Sequence, residues 1–304
     1  MNEINLDFMF IKTILYCFSF IGNFSYIIIH FFSLYQIKCR KNSSQNLGLG
    51  SNFMFFLNIS HLCYSITEIL LYIYFYNHKI IDITNFSSHI VCQICAFSRN
   101  YFELSCACWI SNFTYLFYQS TKNIIMNTQR EFKQIIFGIF YSFIIPLFII
   151  IPSLLHGKFG FTQTRCSFVD KDSYLYLIFV IFIIVNVIFQ LIFLCISFHF
   201  YNSKIKYIQE NSENEYKLLK IYVCIFLFFP IYILISRILK LIYRFKSDKH
   251  EYLFLYISEI TFSLNGFFDS IICLIFLRSA FGCCKINDEE KNKDSKEFQI
   301  LSQE

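Results

Sequence analysis

The chain has 304 residues, 56% of them hydrophobic and only 15% charged, with a net charge of +5 and a mean hydropathy of +0.50. A water-soluble domain normally carries about a quarter charged residues. The recurring apolar blocks, with no polar domain between them, therefore exclude a soluble globular protein and point to one polytopic membrane domain. In that setting the positive charge reports basic cytoplasmic loops rather than a nucleic-acid partner. The thirteen cysteines lie mostly inside apolar runs, where they pack as small hydrophobes. One CxxC, Cys92 to Cys95, lacks a second pair, so no metal and no cofactor is implied.

Residues 1–7 form an N-terminal flank holding Glu3 and Asp7 and no basic residue. Span one covers 8–34 and reads as a signal-anchor, too long for a cleavable signal peptide. Lys38, Arg40 and Lys41 follow it, which puts the N terminus outside. Span two covers 49–76 and contains Glu68; the outer loop after it holds the sequon Asn85-Phe86-Ser87, a glycosylation candidate at Asn85. Span three covers 89–118, and the inner loop 119–133 carries Lys122, Arg130 and Lys133. Span four covers 134–155, with Pro146 and Pro152 as kink points. Residues 156–172 form an outer loop with Cys166, and span five covers 173–200. Residues 201–216 lie inside and contain neither Gly nor Pro, so helix is expected to run on into them. Span six covers 217–243 with Pro230 and Arg237, and span seven covers 251–277 with Glu259 and Asp269. Residues 278–304 are a charged cytoplasmic tail. The expected fold is all-α, a seven-transmembrane-helix bundle within 8–277. No internal repeat is visible, which argues against the commonest transporter architectures.

Span three organises the rest. Its helical face carries Cys92, Arg99, Glu103, Cys106 and Ile110. A bare charge in hydrocarbon costs about 2.5–3.5 kcal/mol on insertion scales, so this face looks into the bundle. Arg99 and Glu103 stand one turn apart, as an ion pair that fixes packing or as the wall of a pocket. The expected orientation places Glu68, Arg99, Glu103, Arg237 and Glu259 in the outer half, on four helices. Together they describe a polar, ligand-binding cavity open to the outside, whose arginines suit a phosphate or carboxylate. The plainer reading is a pair network, Glu68 with Arg99 and Arg237 with Glu259. Asp269, after Asn265 and Gly266, lies in the inner half as a sodium ligand, an interhelical hydrogen-bonding group or a switch. Cys92 and Cys166 fall at the oxidising outer edge, where a disulfide persists; Cys95, one turn deeper, competes for it. Cys283 and Cys284 follow span seven as palmitoylation sites or unmodified thiols.

Several stretches share a pattern. They are Phe20-Ile21-Gly22 in span one, Phe56 to Ser65 (FLNISHLCYS) in span two, and Cys92 to Phe97 (CQICAF) with Trp109 in span three. Gly157, Gly160 and Cys166 follow in the outer loop, then Pro230 with Ile235-Ser236-Arg237-Ile238, and Asn265 to Ser270 (NGFFDS). In order and placement they resemble G-protein-coupled receptors of the cyclic-AMP-receptor-like (class E) family. His61 stands where that family has an acidic residue, and Asp269 is a further departure. The resemblance implies an extracellular small-molecule ligand, a heterotrimeric G protein at the inner face, and signalling by helix rearrangement in the plasma membrane. Surrounding membrane lipid is the remaining partner, and homo-oligomerisation stays open. No nucleophile–base pair stands out, so an enzyme is not expected. The alternative is a transporter or channel that uses the intramembrane charges as a path.

Overall fold

The computed structural model describes residues 6–39, 49–78, 90–122, 128–162, 165–169 and 173–211, together with 260, 264, 266–268 and 270–271. Its first helix, α1 (Leu6–Cys39), shows how the bundle is built. Lys12, Tyr16, Ser19, Asn23, Tyr26, His30 and Ser33 recur every three or four residues and are all buried. Phe10, Ile14, Phe18, Ile21, Phe24, Ile28 and Phe31 cover the other side and are exposed. The polar stripe faces protein and the apolar stripe faces outward, the reverse of a soluble helix. Such a face fits hydrocarbon, and helices suit it because they satisfy their own backbone groups.

Helix α2 (Leu49–His78) packs antiparallel beside α1, and α3 (Ile90–Lys122) follows. Helices α4 (Thr128–Ile139) and α5 (Ile145–Leu155) are joined without a break through a π-helical turn, Phe140–Ile144. Pro146 has no N–H to give to a carbonyl one turn back. The ladder widens just before it, and Ile145 N–H bonds Phe140 O, five residues back. Helix α6 (Tyr174–Asn211) runs well past its apolar segment, as the absence of Gly and Pro implied.

Among the described residues, four stretches are long and apolar enough to cross a membrane: Phe10–Tyr35, Asn52–Asn77, Lys133–Leu155 and Tyr174–Ser197. Helix α3 is long enough but more polar, because it is the central helix. Every residue from Glu103 to Thr114 is buried, so no side of that stretch has to satisfy lipid. The first five expected spans thus coincide with helices. Span six, at 217–243, lies outside the described residues, and span seven is described only at the positions given above.

The described residues are otherwise helical, as expected of an all-α fold; between α5 and α6 a short antiparallel hairpin pairs β1 (Phe159–Thr162) with β2 (Arg165–Phe168). Its apolar side packs Phe159, Phe161 and Phe168 into the same core as Phe75 of α2 and Phe179 of α6. Alternation in FGFT and RCSF supports the strands, but four residues each are too short a signal to separate from a loop. Gly157 turns the chain into the hairpin at φ 61°, a conformation that costs glycine little.

The 266–268 stretch sits against α1. A Cβ on Gly266 would collide with Ser19 Oγ and come within 2.9 Å of Asn23 Nδ2; one on Gly22 would collide with Ser270 Oγ. These two glycines set how closely the backbones approach.

Candidate functional site

Residues near the hairpin end of α1, α2 and α3 converge on one carboxylate. Glu68 Oε2 lies 2.8 Å from Lys12 Nζ of α1, and Glu68 Oε1 lies 2.9 Å from Arg99 Nε of α3. The three side chains are each 5% exposed or less. Arg99 Nε also donates to Tyr64 Oη at 3.1 Å. The aromatic rings complete the shell. Lys12 Nζ stands 5.6 Å from the centre of the Tyr16 ring, Arg99 stands 5.9 Å from that of Tyr64, and the two tyrosine rings are 5.7 Å apart. Glu103, one turn along α3 from Arg99, is buried too. Two cations and two carboxylates balance, which is the condition under which such charges persist away from water.

The geometry follows from helix periodicity. Arg99 is seven residues from Cys92, about 10 Å along α3. Cys92 is bonded to Cys166 of β2, with Cα atoms 5.4 Å apart, and both are fully buried. The disulfide therefore holds the hairpin over the end of α3, and the charge cluster lies two turns below it. Cys95, the competing cysteine, is a free thiol.

Of the expected site residues, Glu68 and Arg99 meet directly and Glu103 shares their helix and burial. Arg237, Glu259, Asn265, Asp269, Cys283, Cys284 and Asn85 lie outside the described residues. Sequence reasoning missed Lys12, Tyr16 and Tyr64. A lone lysine inside an apolar span, with a tyrosine one turn on, was the available signal for the first two. Among the described residues no group of three His, Cys, Asp or Glu side chains comes together to hold a metal.

Two further polar clusters cross the bundle. Between α1 and α2, Ser65 Oγ donates to Ser19 Oγ at 3.1 Å, and Asn23 Nδ2 donates to Ser19 O at 2.7 Å. Between α3, the π-helical turn and α6, Asn186 Oδ1 accepts from Ser111 Oγ at 2.8 Å and from Tyr141 Oη at 3.0 Å. Gln190 Nε2 donates to Ser111 Oγ at 2.9 Å, and Asn112 Nδ2 to Ser142 Oγ at 3.0 Å. Phe143 O, within the π turn, also accepts from Tyr101 Oη at 3.2 Å. Beside this second cluster, towards the end away from the hairpin, a crevice of about 540 Å³ opens between α3, α4 and α6.

No protein-family model matches the chain, and no curated protein matches it. What the residues themselves do therefore carries the functional argument.

Proposed function

We propose that this chain is a seven-helix G-protein-coupled receptor of the plasma membrane, similar to cyclic-AMP-receptor-like receptors, with its N terminus outside. It senses an extracellular small anion and activates a heterotrimeric G protein. The observation that supports this best is the buried Lys12–Glu68–Arg99 cluster, which joins three helices beneath a disulfide-anchored hairpin. Glu68 occupies a seat flanked by an ammonium and a guanidinium. A ligand carboxylate or phosphate has the same charge and acceptor geometry, so it competes for that seat. Arg237 and Glu259 belong to the same outer level in the sequence reading. A ligand that binds one helix arrangement more tightly shifts the population towards it; a tenfold shift needs only about 1.4 kcal/mol of differential binding.

The test is a ligand screen in cells expressing the full chain, read out by G-protein activation, with cyclic nucleotides and amino acids included. A saturable response to an anionic ligand that Arg237→Ala abolishes, at unchanged surface expression, is the expected result. A response that keeps its dose dependence in that variant removes Arg237 from the site.

A second reading, a transporter or channel, draws on the buried polar side chains that continue from the cluster along α1 and α2: Ser19, Asn23, His30, Asn58 and His61. Asn23 and Asn58 donate to carbonyls of their own helices, which fills the seam rather than opening it. Ligand-independent ion flux into vesicles holding the purified chain distinguishes this reading.

A further inference from the structure

The crevice between α3, α4 and α6 has a composition suited to one kind of molecule. Phe137, Phe189 and Phe193 form its apolar wall. Phe137 is 60% exposed and continuous with Ile136, Phe140, Ile188 and Ile192, which form the outward apolar faces of α4, the π turn and α6. The crevice thus opens sideways onto the surface that hydrocarbon covers, and its occupant arrives from within the membrane. Gln119 and Gln134 lie at one end, and Gln134 Nε2 donates to Gln119 Oε1. Gln134 Oε1 is buried and has no hydrogen-bond partner among the described residues, which leaves it open to a donor such as a headgroup ammonium. Lys133 lines the same end, and it is the first residue of the apolar segment Lys133–Leu155. From Cys92 to Gln119 is about 40 Å along α3, so this end is the one remote from the disulfide. The sequence also puts Lys122 and Arg130 in the helix ends here.

We propose that this crevice binds an anionic phospholipid of the facing leaflet, with its headgroup at Lys133, Gln119 and Gln134 and one acyl chain against Phe137, Phe189 and Phe193. A basic, polar end that grades into an aromatic wall matches the charge and length of such a lipid. A volume of about 540 Å³ falls within the range of small-molecule pockets, and it accommodates the headgroup-proximal part of one chain. Basic residues at a membrane boundary attract the anionic leaflet, each by about fivefold in partitioning. The site is independent of the receptor reading and needs only a membrane around the helices.

The test uses the full chain reconstituted in phosphatidylcholine nanodiscs containing a minor fraction of phosphatidylserine. Lipids retained after extraction into detergent are counted by native mass spectrometry. The wild type is expected to enrich phosphatidylserine over phosphatidylcholine. Lys133→Ala, at an exposed position, lowers that enrichment about fivefold. Phe193→Ala lowers retention of both lipids, and a photoactivatable phosphatidylserine labels peptides containing Phe137 and Phe189. Unchanged enrichment in Lys133→Ala overturns the proposal. So does crosslinking confined to other helices, or a sterol or the chain's own 278–304 tail recovered in the crevice instead.

Discussion

Glu68 Oε1 and Arg99 Nε stand 2.9 Å apart across the α2–α3 contact, both side chains buried. Lys12 meets the other carboxylate oxygen from α1, so one side chain ties three helices at a single level. In a low-dielectric interior a complete set of partners is tolerated, whereas an incomplete one is expensive.

Glu68→Gln is therefore expected to be the most damaging single change in the cluster, because it leaves Lys12 and Arg99 facing each other without their shared anion. The loss is about 3–5 kcal/mol. Thermal unfolding of the purified chain in detergent measures it. Replacing Lys12, Glu68, Arg99 and Glu103 together by Met, Leu, Met and Leu, so that no buried charge is left alone, recovers much of that loss. A quadruple variant less stable than Glu68→Gln contradicts the account.

The Cys92–Cys166 bridge closes 74 residues of chain. Constraint of the unfolded state by a loop of this length contributes about 4 kcal/mol in the chain-entropy model. Cys166→Ser is expected to lower the unfolding temperature by a corresponding amount and to release Cys92 to thiol reagents after unfolding. Cys95→Ser leaves the bridged peptide intact in non-reducing mass spectrometry.

Gly266→Ala puts a methyl group where Ser19 Oγ now sits, beside Asn23. The Ser65–Ser19 and Asn23–Ser19 hydrogen bonds must then rearrange. A loss of about 1–3 kcal/mol is expected from overpacking. Ser19→Ala in the same chain removes the colliding hydroxyl and restores part of the stability; absence of any rescue places the strain elsewhere.

Asn186→Leu removes the acceptor shared by Ser111, which keeps Ala107 O, and the half-buried Tyr141, whose hydroxyl must find a new partner. The expected cost is about 1–3 kcal/mol. Tyr141→Phe, which removes a donor and leaves Asn186 its bond from Ser111, is milder. Equal losses in the two variants argue that packing, not the shared acceptor, dominates at this site.

Membrane topology is read most directly at the sequon. With the N terminus outside, Asn85 acquires an N-linked glycan in a eukaryotic host, and Asn85→Gln abolishes the glycosidase-sensitive gel shift. A glycan-free wild-type chain that accepts a sequon inserted within 201–216 reverses the orientation.

Much of the architecture is legible in the linear chain because lipid imposes a length and a hydropathy on each spanning helix. Among the described residues the first five expected spans coincide with helical segments, and Cys92 and Cys166 are bonded, the pairing expected of them. Glu68 and Arg99 announce themselves as charges where charges are costly. Lys12 carries the same signature, weakened because a lysine near the start of a span commonly reaches back to the membrane surface. Which partner each charge takes is a different matter. Arg99 has Glu103 one turn away on its own helix, yet Glu68 of α2 lies against its Nε, and only the placement of α2 beside α3 selects that contact. The enclosure of α3, the π turn ahead of Pro146, the hairpin lid and the crevice beside Lys133 likewise depend on neighbours far away in the chain. Which segments leave water, and which charges must find company, can be read along the chain because transfer free energy is a property of each residue. Tertiary structure alone decided who that company is, because ion pairs and hydrogen bonds act over a few ångströms, and helix packing sets those distances.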